Sequence, residues 1–394
     1  MKRIGEAGTS RSNRVSEQRS FQLFRNVILT LIAVPSLLMA QASAPDSSRL
    51  DFSGVIFANY QYQAEEEAQS ANKFDVERAY LTFRMPAGDR ASVRVTTDLY
   101  QQGTSGSDAY YRGWSIRAKY AFLQYHYLSR GPVRASARVG LLQTVFIEHD
   151  ESFWPRWIAT SPTDRNGYFS SADAGIANTL SIPAAQTEVY TTITNGPGYT
   201  SREIDRFKDF AARITVRPWK TDSSSALRGV AITAWGYKGA TASRFVRGGS
   251  DQVGSVGDAL ERNRWGIHAG SSSPRLIIAA QFASRVDGTE SGENTAESPR
   301  VASDSASTLV SMYGIVRPLS TSGEKPHPLS ILARIDRVTV EDARPGSYDI
   351  VIGGLSWDIS SRLSAAVDYQ QASPRNGTSI ARTRTWFAHF VGRF

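Results

Sequence analysis

The sequence predicts an all-β fold, a transmembrane antiparallel up-and-down β-barrel of about 16 strands preceded by a cleaved signal peptide. Three observations predict it. Apolar residues recur at every second position along most of the chain. The segments between these runs are alternately tight and long. One apolar run near the start is too short to span a bilayer. The alternation is clearest at 382–394, where Trp386, Ala388, Phe390, Gly392 and Phe394 share one parity. Thr385, Phe387, His389, Val391 and Arg393 share the other, which is more polar. Successive strand side chains point to opposite faces, so such a strand presents an apolar face and a mixed one. An apolar face turned to lipid and a polar face turned to water is the arrangement of a closed barrel in a membrane.

Residues 1–26 are polar and carry six basic and two acidic side chains. They precede the apolar run Val27–Ala40, which contains Pro35. Fourteen residues fall short of the roughly 20 that a helical span needs, and suit the core of a signal peptide. Ala40-Gln41-Ala42 places small residues where signal peptidase requires them, so residues 1–42 are expected to be removed and 43–394 to form the barrel. An uncleaved anchor is the alternative. After residue 42 no stretch approaches 18 uninterrupted apolar residues, which excludes a helical membrane protein. Cysteine is absent, excluding disulfides, thiol nucleophiles and Cys-ligated metals. The formal charge of +8 falls to +4 without the leader, 39 basic against 35 acidic residues, too weak a surplus for a nucleic-acid binder.

The strands follow in order. Phe52, Gly54, Ile56, Ala58 and Tyr60 share one face of the first; Ala79, Leu81 and Phe83 do so in the second, and Val93, Val95, Thr97 and Leu99 in the third. Ala121, Leu123, Tyr125 and Tyr127 follow, then Val133, Ala135, Ala137, Val139 and Leu141. Further strands are expected at 174–182, 186–194, 207–218, 227–238, 262–270, 275–285, 306–318, 329–340, 348–357, 361–370 and 380–394. Tight-turn sequences lie at 86–89, 129–132, 183–185, 271–274 and 358–361, at every second junction. Longer connections fall between them, at 61–73, 101–114, 143–173, 195–206, 239–260 and 286–305. Segments 219–226 and 319–328 are too long for the tight turns due there, which keeps 14 and 18 strands open beside 16.

The parity opposite the apolar one lines the barrel. It holds Arg78, Arg84, Arg94, Asp98, Arg134, Arg138, Arg213, Arg217, Arg264, Arg334, Asp336, Arg362, Asp368 and Arg393. An arginine facing lipid at mid-depth costs about 2–4 kcal/mol, so these side chains are expected in water. A basic, water-filled lumen favours anions. The alternative for any one arginine is an interior ion pair that stiffens the wall. The connection 143–173 is rich in aromatic residues, including Phe146, Phe153, Trp154, Trp157, Tyr168 and Phe169. It is expected to fold into the barrel and narrow it, with Glu148, Asp150, Glu151, Arg156, Asp164 and Arg165 at or near the constriction. Packing over the rim is the alternative. The histidines, His126, His149, His268, His327 and His389, stand singly, and no HxH or HExxH spacing occurs, so no catalytic or metal-ligating set and no cofactor is expected. The function implied is passive diffusion of small solutes, with a non-conducting structural or adhesive barrel and, less favoured, an outer-membrane hydrolase as the alternatives.

Phe74-Asp75-Val76-Glu77-Arg78-Ala79-Tyr80-Leu81-Thr82-Phe83 and Val93-Arg94-Val95-Thr96-Thr97-Asp98 resemble the start of the phosphate-selective porin O and P family. Arg138-Val139-Gly140-Leu141, Thr194-Asn195-Gly196-Pro197-Gly198 and Ala212-Arg213 extend the resemblance, which is strongest before residue 220. It implies a sixteen-stranded outer-membrane channel, usually a homotrimer, with a folded-in third loop. It does not by itself imply phosphate; small anionic solutes, phosphate being one candidate among them, are expected from the basic lumen. The six lysines after residue 42 are few for a lysine-lined phosphate path, so a general anion preference is expected. Phe394 also resembles the signal that Gram-negative outer-membrane barrels present to their assembly machinery.

Overall fold

A computed structural model describes residues 50–65, 71–101, 113–129, 131–203, 205–222, 225, 227–242, 259–291, 301–320, 326–341, 346–375 and 381–394. The expected leader, residues 1–42, lies outside them. The described chain forms sixteen strands. The first eight are β1 (Asp51–Gln63), β2 (Asn72–Pro86), β3 (Ala91–Gln101), β4 (Trp114–Leu128), β5 (Arg134–Gln143), β6 (Ala172–Ile182), β7 (Thr187–Thr194) and β8 (Asp209–Val216). The others are β9 (Val230–Ala242), β10 (Ala259–Ser272), β11 (Leu276–Ser291), β12 (Val301–Val316), β13 (Leu329–Val340), β14 (Tyr348–Asp358), β15 (Leu363–Pro374) and β16 (Thr383–Arg393). Each pairs antiparallel with its neighbours in sequence, and β16 pairs with β1, so the sheet closes on itself. The expected count of sixteen is what the chain adopts.

Closure is sealed beside Phe394. Gly54 N–H donates to the Phe394 carbonyl at 2.8 Å, and Phe394 N–H returns a bond to the Gly54 carbonyl at 3.0 Å. The Phe394 ring lies over Gly54, where a Cβ would stand 2.2 Å from it, so this position needs glycine. Every strand therefore has a partner on both sides and no edge is left unpaired.

The outward face follows the apolar parity. Trp386 and Phe390 of β16 are half exposed on it, while His389 and Val391 point inward and are buried. Ile232, Ile267, Val310, Met312, Ile335, Val351 and Val367 continue the outer band around the barrel. Aromatic residues flank that band: Phe52, Phe83 and Phe394 pack together at the end of the short turns. At the long-loop end Tyr369 meets Trp386 at 5.0 Å and Tyr60 meets Phe74 at 5.0 Å. Two such girdles around an apolar belt are the signature of a barrel matched to a bilayer.

Three register shifts were not anticipated, one of them between β4 and β5, where Tyr125 faces Ala137 and Leu128 faces Ala135. Between β1 and β2 the register slips so that Phe57 faces Arg78 and Ala58 faces Val76, leaving Glu77 as the extra residue. Between β3 and β4 Thr96 faces Tyr120 and Thr97 faces Ala118, leaving Lys119 extra. A bulge flips the parity of the strand beyond it. The apolar set accordingly passes from Phe74 and Val76 to Ala79 and Leu81, and from Ile116 and Ala118 to Ala121 and Leu123. β4 starts at Trp114, where the expected connection 101–114 ends, although its shared apolar face is legible only from Ala121, because the bulge at Lys119 interrupts the alternation before it.

The strands also reach further than expected at the long-loop end. Parts of the expected loops 239–260 and 286–305 are ladder: β9 runs to Ala242, β10 starts at Ala259, β11 runs to Ser291 and β12 starts at Val301. Those extensions are polar, and lie beyond the apolar belt, so hydropathy does not reveal them. Junctions β8–β9 and β12–β13, at 217–229 and 317–328, sit at the same end as the tight turns despite their length.

Candidate functional site: the lumen and its third loop

The connection between β5 and β6 folds into the lumen. It contains two single-turn helices, α1 (Ile147–Asp150) and α2 (Pro162–Arg165). Its aromatic residues bury against inward-facing wall residues: Phe146 and Phe169 pack on Trp235 of β9, and Trp154 packs edge-on to Tyr313 of β12. Phe153 lies where a Cβ on Gly270 would stand 2.6 Å away, so that glycine makes room for the ring. Burying Phe146 and Ile158 contributes about 1.5–3 kcal/mol each.

Polar anchors run round the wall from β9 to β15. His149 Nε2 and Thr233 Oγ1 share a bond of 3.0 Å. Asp150 accepts from Tyr313 Oη, from Gln281 Nε2 at 3.2 Å and from Thr163 Oγ1 at 3.2 Å. Arg334, itself paired with Asp336, donates to the Thr160 carbonyl at 2.5 Å. Tyr348 Oη donates to Asn166 Oδ1 at 2.6 Å, and Gln370 Nε2 donates to the Ile158 carbonyl at 3.0 Å. Arg264 and Arg285 donate to the carbonyls of Tyr168 and Gly167. The loop tip crosses to the other side, where Arg156 donates to Tyr80 Oη of β2 at 3.3 Å and Trp157 meets His389 of β16.

The expected constriction residues separate into two sets. Glu148 is 60 % exposed and faces the β3 wall, 3.9 Å from Arg94. Asp150, expected at the opening beside it, is fully buried and turned into the wall. The reason is helical: two positions on in α1 the side chain points to the opposite side. Arg156 is neutralised by Glu151 at 3.0 Å and Asp164 at 2.7 Å. Phe146 and Trp154 are buried packing residues, and Trp157 is partly exposed beneath the loop.

Burial shapes the acid–base character of α1. Desolvation, reinforced by Arg213, His268 and Arg217, pushes His149 down to about 2, so its ring is neutral. Desolvation raises Asp150 to about 6 against the pull of its hydrogen-bond donors Tyr313 and Gln281.

The expected lining residues differ in their partners, and Arg217 and Arg362 lie outside the strands, after β8 and before β15. Asp98 is fully buried between Arg78 at 3.0 Å and Arg117 at 2.9 Å. Arg264 forks onto Asp287 at 2.9 and 2.8 Å, and Arg213 meets Glu188 at 2.6 Å. These three arrangements are wall-stiffening pairs. Arg138 donates to Gln124 Oε1 at 2.9 Å and Gln143 Oε1 at 3.2 Å. Among the described residues Arg134, Arg138 and Arg217 have no carboxylate within 4 Å, and Arg94 has only the distant Glu148. Arg94 lies over the Tyr120 ring at 4.6 Å, and Arg138 lies over Phe122 at 5.2 Å. Stacking of this kind holds a guanidinium flat along a wall without cancelling its charge.

Sequence reasoning missed Arg117, Lys119 and Glu77 as lumen residues. Lys119 is buried and lies 4.1 Å over the Tyr80 ring. The available signal was the change of apolar parity at 76–79 and 118–121. Among the described residues no group of three or more His, Asp or Glu is placed to hold a metal ion.

No family model matches the chain, and no curated protein matches it by sequence. Solved structures do match in fold. The anion-selective porin from Comamonas acidovorans aligns with a TM-score of 0.59 at 9 % identity, covering 88 % of this chain and 100 % of that one. Salmonella typhi OmpF, in complex with daunomycin, aligns at 0.56 and 14 % identity, covering 90 % and 100 %. The trimer form of Vibrio cholerae OmpT aligns at 0.57 and 10 % identity, covering 89 % and 100 %. At these identities the likeness is one of fold: a closed sixteen-stranded porin-like barrel.

Proposed function

We propose that this chain is an outer-membrane porin, a water-filled channel for passive diffusion that prefers small anions and is narrowed by its third loop. The observation that carries the reading is the set of arginines without close carboxylate partners, Arg94 on β3, Arg134 and Arg138 on β5 and Arg217 just after β8, facing a loop that covers the opposite wall. Uncompensated positive charge beside a narrow aqueous path lowers the energy of an entering anion and raises that of a cation. The fold-level likeness to an anion-selective porin supports the same reading. Phosphate belongs to this solute class, and the resemblance before residue 220 does not by itself single it out. Residues 1–42 fit export, and the trimeric OmpT match supports three copies as the working assembly.

Planar-bilayer recording under a potassium chloride gradient tests it directly. The chain should conduct, with a reversal potential on the anion side. A cation-selective potential removes the arginine argument, and absence of current favours a non-conducting structural barrel.

A further inference from the structure

We propose that the space beneath the third loop, at the short-turn end, binds small organic anions built on a flat ring, aryl carboxylates of the benzoate type. A cavity of about 720 Å³ lies there between the loop and the ends of β11 to β16. A second, of about 460 Å³, adjoins it towards β1 and β2. Both are lined by Trp157, Arg393 and Glu151, so they meet around these three side chains. Their sizes fall in the range of small-molecule sites, roughly 300–1,000 Å³.

The lining selects the chemistry. Trp157 touches His389 edge-on and turns the rest of its indole to the cavities, while Phe153 and Trp154 continue the apolar roof. A flat ring gains contact there that a hydrated inorganic ion does not. The charged groups divide by sign. Glu151 is held by Arg156, and Asp358 accepts a bond from Ser364 Oγ at 2.7 Å. The Arg393 guanidinium donates to Ser364 Oγ at 3.2 Å and that of Arg317 to the Pro274 carbonyl at 3.3 Å; among the described residues neither has a carboxylate within 4 Å. An arginine with an open fork matches the two oxygens of a carboxylate. Ring on Trp157 and carboxylate on Arg393 uses two of the three shared residues at once, the third, Glu151, being held by Arg156. The proposal rests on the pore reading for the route by which such a solute arrives, and not for binding itself.

Calorimetric titration of the folded, detergent-solubilised chain at low salt tests it with four probes: benzoate, acetate, benzamide and glucose. Benzoate should bind, with acetate and benzamide weaker by about tenfold or more, since each lacks one half of the recognition. Trp157→Ala and Arg393→Gln should each weaken benzoate by about tenfold, and the outward-facing Arg337→Gln should not alter it. Acetate or glucose binding as well as benzoate overturns the proposal, as does unchanged benzoate affinity in both cavity variants. Each variant is first checked for the gel shift of a folded barrel. If Arg393→Gln does not fold, Arg393→Lys keeps the charge, loses the fork and carries the same test. Calorimetry needs no current, so a non-conducting chain that binds benzoate sinks the pore reading alone.

Discussion

Arg138 and Arg213 both point into the lumen, yet their charges reach a passing ion differently. Arg213 sits against Glu188 at 2.6 Å, and together they present a dipole. Arg138 is held by two glutamine oxygens and keeps its full charge. Arg138→Glu therefore changes the wall by two charge units. At about 8 Å in water that alters the energy of a monovalent ion by about 1 kcal/mol, roughly fivefold in occupancy. The reversal potential should move towards the cation side by an amount that shrinks as salt is raised, because screening shortens the reach of the charge. Replacing Arg213 and Glu188 together by glutamine should leave the potential near its parent value. Equal effects from the two changes would show that pairing in the wall does not sort these arginines.

The third loop is held by groups whose protonation acts in opposite directions. His149 is pushed down to about 2 from an ordinary value near 6.5, so the docked loop binds fewer protons than the free one between these limits. That contribution is intact above pH 6.5 and is lost as pH falls. Asp150 is raised to about 6, so the docked form binds more protons between about 4 and 6, and its effect runs the other way. Between about pH 4 and 6 the two nearly cancel, and only below pH 4, where the histidine contribution alone is still being lost, should acidification loosen the loop. The chain has no cysteine, which makes a single thiol at the buried Ser161 a clean reporter. Its labelling relative to a thiol at the exposed Ser152 should stay nearly level from about pH 6 to 4, and His149→Gln should make it fall over that range, because Asp150 then acts alone. A profile unchanged by His149→Gln would separate His149 from loop docking. The inward course of this element was legible from its aromatic residues, which a solvated loop does not need. The role of Asp150 was not, because spacing alone does not say which side of a four-residue helix meets the wall. The inward placement of Glu77 and Lys119 was hidden for a related reason: a single inserted residue reverses the alternation on which strand recognition rests.

A barrel is a property of the entire chain, because it exists only when the first strand finds the last. Local alternation made fifteen neighbouring pairings legible in outline, but the β1–β16 seam has the largest sequence separation and no turn to set its register. Closing such a loop has an entropic cost that local contacts do not offset. The register is instead marked by shape: the Phe394 ring occupies the space a side chain on Gly54 would fill, with Phe52 and Phe83 beside it. Gly54→Val places a branched side chain into that ring, an overpacking that costs about 1–3 kcal/mol. The temperature at which the folded, fast-migrating form gives way to the unfolded one on gels should fall. Adding Phe394→Ala empties the contested space, so the double variant should recover part of the loss, whereas Phe394→Ala alone should lower the transition by removing the packing. Two independent, additive losses would mean that the ring and the glycine do not meet in the folded barrel, and the seam would then owe its register to backbone pairing alone.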